Sequence, residues 1–242
     1  MAIPRFYSPD QLSSGARIAL AEQAARHAAR VLRLREGDAV ILFDGSGGEY
    51  PAHIAEIGKH HVTAQLGAHR PRECEAPLNV TLAQAISAGD KMDFTLQKAT
   101  ELGIAQIQPL ASERSVVRLS GERADKRVGH WQGVVVSACE QSGRNRIPPV
   151  APIQQFNNWL GSDFAGLRLM LAPDAELSLR DLPKPEQPVT LLIGPEGGFS
   201  EIETASARHA KFIPVRLGAR ILRTETAALA ALAAMQALWG DF

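Results

Sequence analysis

Two rhythms of apolar and polar residues divide the chain. In the first third the apolar positions alternate in short runs broken by glycine turns. AVILF (Ala39 to Phe43), the turn DGSGG (Asp44 to Gly48) and EYPAHIAEI (Glu49 to Ile57) predict a β-hairpin. Another alternating run, HVTAQLGA, follows the turn Gly58 to His60. Between residues 21 and 34 the period is instead helical, with Ala24, His27, Ala28, Val31 and Leu32 on one face, until Glu36, Gly37 and Asp38 break it. Short strands joined by glycine turns predict a compact barrel.

The segment RPRECEAP (Arg70 to Pro77) is charged, carries two prolines and reads as a linker. After it, strand and helix patterns alternate. LNVTLAQAI (Leu78 to Ile86) and IAQIQPL (Ile104 to Leu110) read as strands flanking a helix that Asp90 is placed to cap and Gly103 to stop. A long helix is predicted over Gly121 to Gln141. LRLMLA (Leu167 to Ala172) and VTLLIG (Val189 to Gly194) are continuous apolar runs, as expected of parallel strands covered on both faces. Ser200 to Ala210 reads as a helix, FIPVRL (Phe212 to Leu217) as a strand and Thr226 to Trp239 as the last helix. The alternation predicts an α/β domain over residues 73–242, with a mainly parallel sheet, behind a β-rich module over residues 1–72.

Composition narrows the function without naming it. The 242 residues carry 26 Lys+Arg against 26 Asp+Glu, which argues against indiscriminate polyanion binding but leaves room for local basic faces. No signal-peptide pattern and no span of membrane length is present, so a cytoplasmic location is expected. The cysteines, Cys74 and Cys139, have no metal-type spacing, and the pair His60 and His61 lacks further ligands, so no metal is expected.

Chemistry is concentrated in two loops. LLIGPEGGFSEIE (Leu191 to Glu203) runs from an apolar strand through three glycines into a helix, with Ser200 and Glu203 spaced as a capping box. It matches neither the phosphate loop GxxxxGK[ST] nor the dinucleotide fingerprint GxGxxG. Twenty residues on, LGARILRTETAALAALAAMQ (Leu217 to Gln236) repeats the plan of strand, glycine loop and helix. Paired loops at the carboxyl ends of parallel strands are where such sheets bind ligands, and apolar residues around exposed amides suit a flat heterocycle. ILFDGSGGE imitates a cofactor loop, but alternation follows it where a helix would be required.

These residues carry a resemblance. GPEGGFS followed by LGxRILRxETA resembles the SPOUT superfamily of methyltransferases, specifically its RsmE family, and KMDFTLQKATELG (Lys91 to Gly103), ERSVVR (Glu113 to Arg118), EQSGRNRIP (Glu140 to Pro148) and HAARVLRLREGD (His27 to Asp38) fit it in order. The resemblance implies an N-terminal PUA-like barrel and a SPOUT domain with a C-terminal trefoil knot. It also implies a homodimer that uses S-adenosyl-L-methionine to methylate N3 of a uridine in 16S rRNA of the small ribosomal subunit. Carried onto this chain, the cofactor meets Leu171 and Ala172, then Gly194, Pro195, Glu196, Gly197 and Gly198, then Leu217, Gly218, Ile221, Leu222, Arg223 and Thr226.

A uracil N3 must lose a proton before it attacks, which leaves negative charge on the flanking carbonyl oxygens. Arginines suit that charge and a carboxylate suits the proton. Arg114 and Arg223 are the electrostatic candidates, with Arg144 beside them. Glu225 is the first carboxylate candidate, with Glu113, Glu140 and Glu196 also in view. Arg5, Arg26, Arg30, Arg33, Arg114 and Arg144 are the candidates for RNA, and the spacing of Arg26, Arg30 and Arg33 predicts one helical face. The alternatives are a sibling enzyme acting on a ribose 2′-hydroxyl and a non-catalytic RNA-binding assembly factor. A small-molecule oxidoreductase ranks last for want of a dinucleotide fingerprint.

Overall fold

A computed structural model of the chain describes residues 3–59, 61–115 and 120–242. His60 and the second half of ERSVVR (residues 116–118) lie outside the described residues. Two compact units are present: Met1–Glu75 with Val136–Ile147, and Ala76–Val135 with Pro148–Phe242.

The first unit is built on β1 (Arg5–Tyr7), β2 (Arg17–Ala19), β3 (Ala39–Phe43), β4 (Tyr50–Ile57) and β5 (Val62–Leu66), ordered β1-β3-β4-β5-β2. The predicted hairpin is the antiparallel β3–β4 pair, with Val40 opposite Ala52. Alternation puts Val40, Leu42, Ile54, Val62, Ala64 and Leu66 on one buried face, where Phe6 and the helical residues Ala24, Ala25 and Ala28 complete the core.

The helix is shorter than its periodicity suggests. α1 (Glu22–Arg26) passes directly into a π-helical turn over His27–Val31. Arg33 lies beyond that turn in the left-handed region, at φ 54°. The expected common face of Arg26, Arg30 and Arg33 is therefore not formed: the i→i+5 turn resets the angular register and Arg33 has left the helix.

The second unit carries a six-stranded, fully parallel sheet. Its strands are β6 (Val80–Ala85), β7 (Gln106–Ala111), β8 (Gln154–Gln155), β9 (Leu167–Leu171), β10 (Val189–Ile193) and β11 (Ile213–Val215), ordered β11-β9-β10-β6-β7-β8. Its helices are α2 (Asp90–Glu101), α3 (Glu122–Ser142, which ends in the first unit), α4 (Phe156–Leu160), α5 (Glu201–His209) and α6 (Thr224–Trp239). This is the α/β architecture the alternation predicts. β8 and α4 are too short to leave a periodic signal.

Every residue of β10 is buried, because both faces of the sheet are covered. Ala83, Met170 and Leu192 meet an aromatic cluster of Phe156, Trp159 and Phe212. Their neighbours along the strands, Leu82, Leu169 and Leu191, point to the opposite face and are equally buried. Gln84 shares the side of Leu82 and reaches Thr224, which places the start of α6 there. The far end of α6 is held where Gln236 Nε2 donates to Leu102 O at 2.9 Å, beside the Gly103 turn. α2 starts one residue earlier than expected: its N-cap is Gly89 (φ 59°), and Asp90 sits in the first turn, where its charge opposes the helix dipole's positive end.

Candidate functional site

The strand order brings the ends of β11, β9 and β10 side by side, so the three loops that follow them are neighbours. Between these loops lies a cavity of about 650 Å³. Leu171 and Ala172 form one wall, Gly194 to Gly198 the second, and Leu217, Gly218, Ile221 and Leu222 the third. The resemblance implies that all of these meet the cofactor, and the fold brings them together around one cavity. Arg223 and Thr226 are expected there too, but neither lines the cavity. The last helix begins at Thr224, so Thr224 and Ala227, one turn apart, face the cavity, while Thr226 is rotated away and exposed. Arg223 is the exposed N-cap residue.

α5 supplies a fourth wall that the sequence reading missed. Glu201, Thr204, Ala205 and Arg208 recur at helical spacing along its cavity face. The only mark the segment Ser200 to Ala210 carries of this wall is a largely polar helix face, which a solvated surface leaves equally. Asp174, Arg216 and Arg220 add charge to the lining. Arg216 is committed, with Nη1 donating to Ala175 O at 3.2 Å.

The glycine loop is held by what surrounds it. Ser200 Oγ accepts from Glu203 N at 3.2 Å and Ser200 N donates to Glu203 Oε2 at 3.0 Å, which is the expected capping box. Glu203 is buried and uses its second oxygen to accept from Glu113 N at 2.8 Å. Glu113 thus takes part through its backbone. The next residue, Arg114, donates from Nη1 to Gly197 O at 3.0 Å, so its guanidinium stands on the loop. Glu196 Oε1 accepts from Ala88 N and from Lys91 Nζ, both at 3.1 Å. Burial opposes its charge, but the backbone N–H groups and the Lys91 ammonium together hold its carboxyl below the usual value. A carboxyl so bound organises the loop. Glu225 lies in the first turn of α6, and its Oε2 is buried without a hydrogen-bond partner among the described residues.

Two of the arginines expected at RNA are interior to the first unit. Arg5 pairs with Glu49 and Asn145, and its guanidinium lies 5.1 Å from the centroid of the Phe43 ring. Arg144 pairs with Glu75 through Nε at 2.9 Å and Nη2 at 2.6 Å. Both side chains are interior, 8% and 6% exposed, Arg5 against the buried Glu49 and Arg144 against the half-buried Glu75. Glu140, in the same unit, accepts from Tyr7 N at 3.0 Å, and burial raises its pKa. Arg26, Arg30 and Arg33 remain exposed, Arg26 paired with Glu22 at 2.6 Å.

Burial pushes the Cys139 thiol up to about 12, as befits a core residue. Among the described residues no group of three or more His, Cys, Asp or Glu side chains stands close enough to hold a metal, and no helix is long and apolar enough to cross a membrane.

The same arrangement occurs in known proteins. Residues 74–236 match the model of an RNA methyltransferase domain, and residues 20–67 that of an RNA methyltransferase PUA domain. The chain is 35% identical over 240 residues to the ribosomal RNA small subunit methyltransferase E of Buchnera aphidicola from Schizaphis graminum, covering 99% of this chain and 98% of that protein. The chain belongs to the ribosomal RNA small subunit methyltransferase E family. The Bacillus subtilis member is 31% identical over 235 residues, covering 93% of this chain and 91% of its own. Among solved structures, the Neisseria gonorrhoeae member bound to S-adenosyl methionine is 46% identical, with a TM-score of 0.93 and full coverage of both chains. A Legionella pneumophila protein solved with the cofactor SAM bound is 37% identical, with a TM-score of 0.97 and full coverage of both.

Proposed function

We propose that this protein transfers a methyl group from S-adenosyl-L-methionine to N3 of a uridine in the 16S rRNA of the small ribosomal subunit, acting in the cytoplasm as a homodimer. The observation that carries the reading is the cavity at three adjacent strand ends, lined by GPEGG and LGARIL, in a chain that aligns along its full length with a relative bound to this cofactor.

The lining fits the molecule. Met170, Leu171, Ile193, Leu217 and Leu222 offer apolar surface for an adenine. A Cβ at Gly198 or Gly218 would meet no atom of a non-neighbouring residue within 4 Å, so a ligand can approach the backbone there. Asp174, Glu201, Arg208 and Arg220 supply charges of both signs, as a zwitterionic amino-acid tail requires. When bound, the cofactor supplies an electrophilic methyl. The protein's task is then to place and activate the acceptor. Arg114, tied to the glycine loop, and Arg223, exposed at the start of α6, are assigned to the charge that develops on the uracil oxygens. Glu225, with an oxygen unengaged, is assigned to the N3 proton.

The exposed arginines Arg26, Arg30 and Arg33 in the first unit are assigned to phosphates, which position an RNA without reading its sequence. In this reading a β-rich RNA module at residues 1–72 serves a catalytic domain at 73–242, whose C-terminal segment is threaded as a trefoil knot; the alanine-rich sequence of α6 is compatible with close approach to neighbouring backbone.

Mass spectrometry of nucleosides from small subunits treated with the protein and labelled cofactor tests the reading. Labelled 3-methyluridine is expected. A label on a ribose would make this a 2′-hydroxyl enzyme, and cofactor binding without any transfer would leave an assembly factor.

A further inference from the structure

Beneath the cavity a short chain of hydrogen bonds joins the central strand to two of its walls. Gln84 stands at the carboxyl end of β6, beside Ile193 of β10, and is fully buried. Its Nε2 donates to Ala85 O at 2.9 Å and to Thr224 Oγ1 at 3.0 Å. The Thr224 hydroxyl donates in turn to Gly194 O at 2.6 Å. Gly194 opens the GPEGG loop and Thr224 follows the LGARIL loop, and both line the cavity.

The direction of this relay is forced. Ala85 O can only accept, so the Gln84 amide must present its NH₂ there, and that same NH₂ faces Thr224. Thr224 Oγ1 therefore accepts from Gln84 and has its one hydrogen left for Gly194 O. The cost is visible on the other side of the amide. Gln84 Oε1 is buried without a hydrogen-bond partner among the described residues, a penalty that a methionine or leucine at this position would not carry. Its neighbour on the same face of the strand, Leu82, is apolar and equally buried. A polar side chain that lowers local stability at the foot of a cavity is the pattern of a residue kept for function.

We infer that Gln84 and Thr224 are positioning residues: by locking Gly194 O to the first turn of α6 they set the separation of the two loops, and with it the affinity for the cofactor. This rests on the reading that the cavity takes S-adenosyl-L-methionine, and the experiment keeps the two apart. Titration calorimetry of the full chain with S-adenosyl-L-methionine is run on the unaltered protein, Q84M, T224V, T224S and the double variant Q84M/T224V, with thermal melts of each.

Q84M and T224V are expected to weaken binding by about tenfold, the net scale of one hydrogen bond, because each breaks the link between Gly194 O and the strand. T224S, which keeps the hydroxyl, is expected to bind within about twofold of the unaltered protein, and the double variant no worse than the weaker single one, because both break one relay. Q84M is expected to melt at or above the temperature of the unaltered protein, since it removes the unpaired oxygen. A purely structural glutamine would instead lower the melting temperature in step with affinity. Unchanged affinity in folded Q84M and T224V overturns the relay, as does T224S binding as poorly as T224V. No binding by the unaltered protein overturns the cofactor reading itself.

Discussion

The stretches ILFDGSGGE and LLIGPEGGF look alike as strings, each an apolar strand running into glycines and an acid, yet they solve opposite problems. In the first, the glycines make room for the protein itself. A Cβ at Gly47 would lie 2.5 Å from Glu73 Oε1, and one at Gly48 would lie 2.1 Å from His69 Nε2. The chain then turns back as β4. Asp44 is consumed locally, accepting from Leu12 N at 2.9 Å and from the Ser46 amide and hydroxyl. In the second, a Cβ at Gly198 would meet nothing within 4 Å, the chain proceeds into α5, and the space above the glycines is the cavity. One loop uses glycine to close a gap and the other to keep one open.

Filling the open gap is expected to have the largest effect. Gly198→Leu should abolish detectable S-adenosyl-L-methionine binding in calorimetry, at a stability cost of about 1–2 kcal/mol from the left-handed backbone (φ 67°). Binding that survives would mean the cavity is not the cofactor site. The closed gap should behave in reverse. Gly48→Ala is expected to destabilise the chain by about 2–4 kcal/mol in urea melts, from overpacking against His69 and Arg70 O and a positive φ, while cofactor affinity stays unchanged.

The two acids sharpen the contrast at smaller scale. For Asp44, burial works against the charge, but the Leu12 and Ser46 donors outweigh it and hold the carboxyl below its usual 3.8. A depressed folded pKa contributes stability that is present above 3.8 and lost as pH falls through the folded value. Asp44→Ala should therefore cost about 1–2 kcal/mol at neutral pH, and the gap between variant and parent should narrow in melts at pH near 3. Glu196→Gln should follow the same sign with a smaller amplitude, about 0.5 kcal/mol, since its Lys91 partner is 36% exposed and screened by solvent. A larger loss for Glu196 than for Asp44 would overturn the ranking of the two loops.

Much of the site was legible because close backbone approach demands glycine and a strand covered on both faces demands an unbroken apolar run. Both leave marks on neighbouring letters. Those marks located the two glycine loops, and the family resemblance they carry implied Leu171, Gly194 to Gly198, Leu217, Gly218, Ile221 and Leu222 at the cofactor. Arg5 and Arg144 went the other way. Nothing local separates an arginine that faces solvent from one that is drawn inside to pair with a glutamate 44 or 69 residues distant. The common face of Arg26, Arg30 and Arg33 was lost to a π-turn, whose extra residue leaves no trace in a helical period. Gln84 was unreadable for the same reason, since its partner in α6 stands 140 residues away.

The sequence alone thus determined the alternation of strand and helix, the two glycine loops and the family, because each is written within one turn or one strand. The tertiary structure alone decided which loops became neighbours, which charges were buried against which, and that α5 supplies a wall of the cavity. Those outcomes depend on strand order and on long-range pairing, where the energy of a contact is set by residues far apart in the chain.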